Sequence, residues 1–148
     1  IFLFDRDNDN LKKYKNNEFD NHTNNVYSMC IPKISDELDK ICLEFYYKND
    51  DLMVEDENSR RLFLSNEFNK KTGISKCKKF VLQEKNKLKI LTIIDNAVYL
   101  IDDDECSNSI ALSKNDFANN ILEEKEKFKS FDIENFKKIF DVIEKIVS

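Results

Sequence analysis

The scarcity of glycine and proline is the feature that most constrains the fold of this chain. Its 148 residues include one Gly and one Pro. Glycine adopts the positive φ of tight hairpins and phosphate-binding loops most easily, whereas helices require neither residue. The scarcity therefore argues against a nucleotide-binding enzyme and against a sheet with many tight turns, and it favours an all-α chain.

The composition is that of a folded chain with an acidic balance. Hydrophobic residues make up 41% of the chain, charged residues make up 36%, and the formal net charge is −5. The apolar fraction is ample for a core, and the length suits one domain or two small lobes. The sequence contains no basic stripe suited to nucleic acid and no apolar run near the roughly 18 residues of a membrane span. We therefore expect neither nucleic-acid binding nor direct membrane insertion.

The four cysteines, Cys30, Cys42, Cys77 and Cys106, are widely spaced. None of them forms a CxxC pair, which argues against a zinc site. We expect free, mostly buried thiols, and the alternative is two disulfide bonds in a secreted protein.

Residues 1–19 carry the densest pattern of candidate metal ligands. An apolar run over residues 1–4 is followed by carboxylates at alternate positions. Carboxylates at every second position of a tight turn can converge on one hard cation such as Ca²⁺. The candidate ligands are Asp5, Asp7, Asp9 and, at the end of the segment, Glu18.

This segment resembles the first loop of an EF-hand. Phe4 directly precedes the first carboxylate, as an apolar residue does in that family, and Asn10 stands where the family has a glycine. The loop is two residues longer than the family standard. The resemblance implies a calcium site whose ligands are Asp5, Asp7, Asp9 and Glu18.

Residues 26–45 resemble the connector of calmodulin and of myosin light chains, in which a helix ends, a proline follows and a capped helix begins. Pro32 is followed by Ser35, which is a favourable helix N-cap. Apolar residues then recur at helical spacing: Ile34, Leu38, Ile41, Cys42 and Phe45. The resemblance implies a second helix–loop–helix whose loop, residues 46–57, has Tyr46 in place of the first ligand and binds no calcium.

A linker is predicted in the middle of the chain. Residues 69–86 include Gly73 and several lysines, a composition typical of a linker. We therefore predict an EF-hand-like lobe over residues 1–68, a linker over 69–86 and a degenerate EF-hand-like lobe over 87–148.

Residues 78–112 allow two interpretations. A helix would place one apolar face along Leu88, Leu91, Ile94, Val98 and Ile101. Strands over residues 80–83, 88–94 and 97–101 would instead form a meander that resembles PH-like modules. The helix agrees with the rest of the EF-hand resemblance, and the alternative is an α+β fold with a PH-like sheet and a C-terminal helix.

The C-terminal part combines an acidic run with an amphipathic segment. Residues 102–105 resemble the start of a third loop that ends at Asp116, but we interpret them as a solvated, charged turn. Asp132 is positioned to cap a final helix. The apolar stripe of that helix consists of Ile133, Phe136, Ile139, Phe140, Ile143, Ile146 and Val147.

The EF-hand resemblance implies binding rather than catalysis. Two lobes would clamp an amphipathic target helix, such as the neck of an unconventional myosin, without calcium gating. The residues expected to contact this helix are Met29, Leu38, Ile41, Phe45, Phe136, Phe140 and Ile143. A calcium-responsive sensor that uses the first loop is the alternative within the family. An α+β PH-like or disulfide-bonded secreted interaction module is the alternative outside it.

No catalytic arrangement is predicted. His22 is the single histidine and lies in a polar segment, and no Cys–His or Ser–His–Asp set can be argued around it. We therefore expect no enzymatic activity, and the light-chain resemblance implies a cytoplasmic or cytoskeleton-associated protein.

Overall fold

The chain folds into short strands, short helices and turns rather than into paired long helices. The computed structural model describes residues 1–11, 13–38, 40–101 and 108–148. Within these ranges the strands are β1 (Phe2–Phe4), β2 (Asp20–Asn21), β3 (Tyr27–Cys30), β4 (Phe63–Leu64), β5 (Phe80–Leu82), β6 (Ile93–Ile94) and β7 (Val98–Leu100). The α-helices are α1 (Asn49–Leu52), α2 (Lys114–Leu122) and α3 (Lys137–Val147). The prediction of an all-α, EF-hand-like fold is therefore wrong, and the α+β alternative fits better.

Turns with a positive φ are made here almost without glycine. Asparagine tolerates the left-handed region better than other L residues do. The described non-glycine residues with positive φ are Asn17, Thr23, Asn24, Asn25, Ser59, Lys78, Ala97 and Glu124. Gly73 is used where a side chain cannot fit, because a Cβ there would lie 2.6 Å from the carbonyl oxygen of Leu82. The scarcity of glycine is therefore compatible with a fold that contains many turns.

The chain divides into two units. The first unit comprises Ile1–Tyr47 and Asp132–Ser148, and the second comprises Lys48–Phe131. This division differs from the predicted lobes, because the C-terminal helix α3 belongs to the first unit. Residues 69–86, which were predicted to form a linker, lie inside the second unit and include β5.

The sheet of the first unit has the strand order β1-β3-β2. Strand β1 runs parallel to β3, with Phe2 opposite Ser28 and Phe4 opposite Cys30. Strand β2 pairs with the other edge of β3 in the antiparallel sense, so the central strand is largely buried. The apolar side chains of β1 are exposed. Because β1 and β3 are parallel, their carboxyl ends meet at one edge of the sheet.

Helix α3 packs on the core of the first unit through part of the predicted apolar stripe. Ile139 lies in a buried cluster with Ile31, Ile41 and Tyr46. The hydroxyl of Tyr46 donates a hydrogen bond to the carbonyl oxygen of Pro32, which satisfies its polar atom inside the core. Burial stabilises such a cluster by roughly 1.5–3 kcal/mol for each large apolar side chain.

The second unit is built from two strand pairs and the short helices α1 and α2. Strand β4 pairs with β6, and β5 pairs with β7, both in the antiparallel sense. The helix preferred for residues 78–112 is replaced by β5, β6 and β7 in the described part of that segment, and Leu88 lies in a 3₁₀ turn. One buried cluster of this unit consists of Phe63, Phe68, Leu82, Leu88, Ile94, Val98 and Ala111. Its β-branched and aromatic members favour strands on a half-buried surface.

A buried carboxylate closes the turn between α1 and β4. Asp56 Oδ1 accepts the backbone N–H groups of Asn58 and Arg60 at 2.8 and 2.9 Å. Asp56 Oδ2 accepts Nε and Nη2 of Arg60 at 3.0 and 2.9 Å. Burial alone would raise the pKa of Asp56, but these hydrogen bonds outweigh burial and hold the pKa below its usual range.

We predict that Asp56→Asn lowers the free energy of unfolding by about 3 kcal/mol at neutral pH, because the Arg60 guanidinium loses its buried partner. A depressed native pKa stabilises the fold above the unfolded pKa of about 3.9, and this contribution is lost as the pH falls through the native value. Urea denaturation from neutral to acidic pH should show the two proteins converging at low pH. Asp50→Asn, a change at an exposed carboxylate of α1, is the control and should have little effect at any pH. A constant gap between wild type and Asp56→Asn across this range would contradict the prediction.

Candidate functional site

Arg6 fastens the loop that follows β1. Its backbone N–H donates to the carbonyl oxygen of Ile41 at 2.8 Å. Its guanidinium donates from Nε to the carbonyl oxygen of Ile31 at 3.0 Å and from Nη1 to that of Tyr14 at 2.9 Å. A longer contact joins Nη2 to the carbonyl oxygen of Lys15 at 3.5 Å. The Arg6 side chain thereby connects the start of the loop with Tyr14, further along the loop, and with Ile31, which directly follows β3.

Three of the four predicted calcium ligands have separate partners. Asp5 Oδ1 accepts the backbone N–H of Leu43 at 3.0 Å. Asp9 lies 2.9 Å from the ammonium group of Lys40. The carboxylate of Glu18 lies 3.8 Å from the ammonium group of Lys15, and Asp7 is exposed.

The EF-hand interpretation of this loop is therefore corrected. No group of three or more acidic, His or Cys side chains among the described residues is arranged to hold a metal ion. Residues Asp9–Leu11 form a 3₁₀ turn, and the segment before Asp5 is a strand rather than an entering helix. Neither the calmodulin-like helical description nor the calcium-binding one is supported.

A cavity of about 580 Å³ lies beside this loop. Its lining comes from residues 6–16 and 33–40, the segments that follow β1 and β3. The lining residues are Arg6, Asn8, Asp9, Leu11, Tyr14, Lys15, Asn16, Lys33, Asp36 and Lys40. The cavity therefore lies at the carboxyl edge of a parallel strand pair, where α/β sheets usually place their ligands.

The cavity is electropositive although the whole chain is acidic. Four cationic side chains line it, against the two carboxylates of Asp9 and Asp36. The chain as a whole has a formal charge of −5. A concave surface with an excess of one charge concentrates ligands of the opposite charge.

A chain of hydrogen bonds holds Tyr14, one of the residues that line the cavity. The hydroxyl groups of Tyr14 and Ser28 lie 2.7 Å apart, and His22 Nε2 lies 2.6 Å from Ser28 Oγ. His22 lies in a polar segment of the sequence, and its spacing there gives no sign of this contact. Ser28 is 3% exposed, and its hydroxyl joins two segments to β3: the loop after β1 through Tyr14, and the residues after β2 through His22.

Most of the predicted partner-binding residues lie in the core of the first unit. Met29 and Ile41 are buried. Leu38, Phe45, Phe136 and Ile143 are partly buried and pack against the Ile31 cluster. Phe140 differs from the others, because it is 63% exposed on α3. Contact between a partner helix and the buried members would require the core to open, and their assigned role stays a prediction.

The described cysteines are free thiols. Cys30 and Cys42 are buried as expected, and burial raises the pKa of Cys30. Cys77 is exposed, and a hydrogen bond from Ser75 lowers the pKa of its thiol. Cys106 and the acidic run at residues 102–105 lie outside the described residues. Asp116, the predicted end of that run's loop, lies in the first turn of α2, where its N–H donates to Ser113 Oγ.

None of the helices within the described ranges has the length and apolar character needed to cross a membrane.

We predict that Arg6→Lys lowers the free energy of unfolding by about 2 kcal/mol, because an ammonium group cannot reproduce the fork that serves carbonyl groups on two segments. Chemical denaturation measures the change. The reverse exchange at an exposed position of α3, Lys137→Arg, is the control and should leave stability unchanged. Equal stability of the two variants would show that Arg6 does not hold the loop.

Comparison of the chain with protein-family models, with curated proteins and with solved structures finds no significant match.

Proposed function

We propose that the first unit binds a small phosphate-bearing ligand in the cavity beside the Arg6 loop. The observation that carries this proposal is the excess of positive side chains in a cavity at the carboxyl edge of β1 and β3. This proposal describes a binding function, without catalysis, for a chain of the α+β fold class. It takes the place of the EF-hand helix clamp and calcium sensor, for which the fold gives no support.

The position of the cavity supports ligand binding rather than a purely structural role. In open sheets with parallel strands, the loops at the carboxyl ends diverge and leave a crevice. Both lining segments begin at such an end, one after Phe4 and the other after Cys30. The volume of about 580 Å³ falls within the range of roughly 300–1,000 Å³ that small-molecule sites occupy.

The charges of the cavity suit a phosphoryl group. A phosphate monoester carries about −1.5 to −2 charges near neutral pH and has three acceptor oxygens. The ammonium groups of Lys33 and Lys40 supply donors on one side of the cavity. Lys40 is already oriented by its ion pair with Asp9, and a phosphate with more charge than a carboxylate competes well for the same ammonium group.

Arg6 supplies a fixed positive charge to the same cavity. Its guanidinium is held by the carbonyl oxygens of Ile31 and Tyr14. A group that is already immobilised loses little conformational entropy when the ligand arrives. Leu11 and the ring of Tyr14 add an apolar wall, which suits the carbon skeleton of a phosphate ester better than it suits free phosphate.

We predict that calorimetric titration detects binding of ribose 5-phosphate and no binding of ribose, because the cavity recognises the phosphoryl group. Lys33→Gln and Lys40→Gln should each weaken the binding of ribose 5-phosphate about tenfold, through the loss of one charge-assisted hydrogen bond. Lys137→Gln removes the same charge from an exposed position on α3 outside the cavity and should leave the affinity unchanged. Inorganic phosphate is included to measure the contribution of the apolar wall.

Two results would contradict this proposal. Equal weakening by Lys33→Gln, Lys40→Gln and Lys137→Gln would indicate a general charge effect rather than a site. Binding of ribose as tight as that of its phosphate would exclude phosphoryl recognition. A single-stranded oligonucleotide in the same titration tests the separate expectation that this chain does not bind nucleic acid.

A further inference from the structure

The second unit contains a small cavity whose described lining is entirely polar. The cavity has a volume of about 190 Å³. One wall is the turn over residues 56–60, and the other is formed by α2 and the residues that follow it. A cavity without apolar lining offers nothing to a hydrocarbon group, so its ligand must be recognised through hydrogen bonds and charge.

Asn120 provides the observation that points to a ligand. Its side chain lines the cavity and the residue is only 4% exposed. The Nδ2 atom is buried and has no hydrogen-bond partner among the described residues. An unsatisfied buried N–H group is unfavourable, and groups of this kind in native proteins usually have a partner. The cavity is therefore suited to a ligand that presents an acceptor oxygen to Asn120.

The charges around Asn120 favour a ligand that also carries a cation. The cavity is lined by four carboxylates and two cationic side chains. Asp56 is committed to the turn and to Arg60. Among the described residues, the side chain of Asp116 has a long contact of 3.5 Å to Arg60 Nη1, and Glu123 lies 3.7 Å from the ammonium group of Lys125. Asn120 and Glu123 also lie at the carboxyl-terminal end of α2, where the helix dipole adds partial negative charge.

We propose that this cavity binds an α-ammonium carbonyl group, which is the unit shared by a free amino acid and the amino-terminal residue of a polypeptide. The carbonyl oxygen accepts the hydrogen bond from Asn120 Nδ2. The ammonium group donates to the carboxylates of Asp116 and Glu123. This site lies within the second unit and is independent of the phosphate site proposed for the first unit.

Three small probes separate the parts of this recognition. Glycinamide carries both the ammonium and the carbonyl group, ethylamine carries only the ammonium group, and N-acetylglycinamide carries only carbonyl groups. Binding is measured by NMR titration of the backbone amide signals of residues 56–60 and of α2. We expect glycinamide to bind about tenfold more tightly than ethylamine, and N-acetylglycinamide to cause no saturable shift.

A variant of Asn120 tests the role of its amide. Asn120→Ala should weaken glycinamide about tenfold and leave ethylamine unchanged, because only the first probe uses the Nδ2 donor. Asn115→Ala, a change at an exposed asparagine of the same helix outside the cavity, is the matched control and should change neither affinity. Asp116→Asn should weaken both amines, and it provides a second test should Asn120→Ala fail to fold.

The source of the ligand is decided by two further probes, free glycine and glycylglycinamide. Tighter binding of glycine indicates a free amino acid, and tighter binding of glycylglycinamide indicates the amino terminus of a polypeptide. The proposal is overturned if N-acetylglycinamide binds as tightly as glycinamide, if Asn120→Ala weakens both amines equally, or if none of the probes binds at millimolar concentration.

Discussion

The hydrogen bonds of the Arg6 guanidinium are the interaction on which the loop after β1 depends. The guanidinium reaches the carbonyl oxygens of Tyr14, within its own loop, and of Ile31, directly after β3. A parallel strand pair has no short turn that connects its strands. The carboxyl ends of β1 and β3 are joined by the backbone hydrogen bond from Ile31 to the carbonyl oxygen of Phe4, and Arg6 adds side-chain hydrogen bonds at the same end. The cavity proposed to bind phosphate lies beside the loop that Arg6 holds, and Arg6 is one of its lining residues.

The two cavities illustrate how one acidic chain can carry sites of opposite character. The first has an excess of cationic side chains around a fixed guanidinium. The second has an excess of carboxylates around an unsatisfied amide. The net charge of the chain describes neither of them, because each site depends on which side chains the turns bring together. No pattern in the sequence singles out Lys40 or Asn120. Their proposed roles depend on the side chains that line the same cavity.

Local patterns in the sequence predicted some helices and strands correctly and others wrongly. The apolar stripe of the final helix was predicted in part, because a helix that covers a core repeats on the scale of its own turns. Ile139 is buried, whereas Ile133, Phe140 and Val147 are exposed. The strands at residues 80–82, 93–94 and 98–100 were present in the alternative interpretation but not in the preferred one. The preference failed because it rested on agreement with the EF-hand resemblance. The scarcity of glycine, which favours an all-α chain, does not exclude tight turns, since asparagine and a few other residues adopt the positive φ instead. The EF-hand description of the first loop failed because carboxylates at alternate positions can equally well accept a backbone N–H, as Asp5 does, or pair with a lysine, as Asp9 does.

The pairing of Phe4 with Cys30 joins residues that are too far apart in the sequence for any periodicity to reveal. Neither the carboxyl edge of β1 and β3 nor the cavity beside it could therefore be predicted.

The most direct test of this account is the exchange of the Arg6 Nε proton with water, measured by NMR on protein labelled with ¹⁵N in arginine. The resonance is assigned by its disappearance in Arg6→Lys. The account predicts a resolved signal that exchanges much more slowly than that of free arginine, because Nε donates to the carbonyl oxygen of Ile31 in a half-buried position. Exchange as fast as that of free arginine in the folded protein would contradict it, since the loop after β1 would then have no fixed guanidinium to hold it.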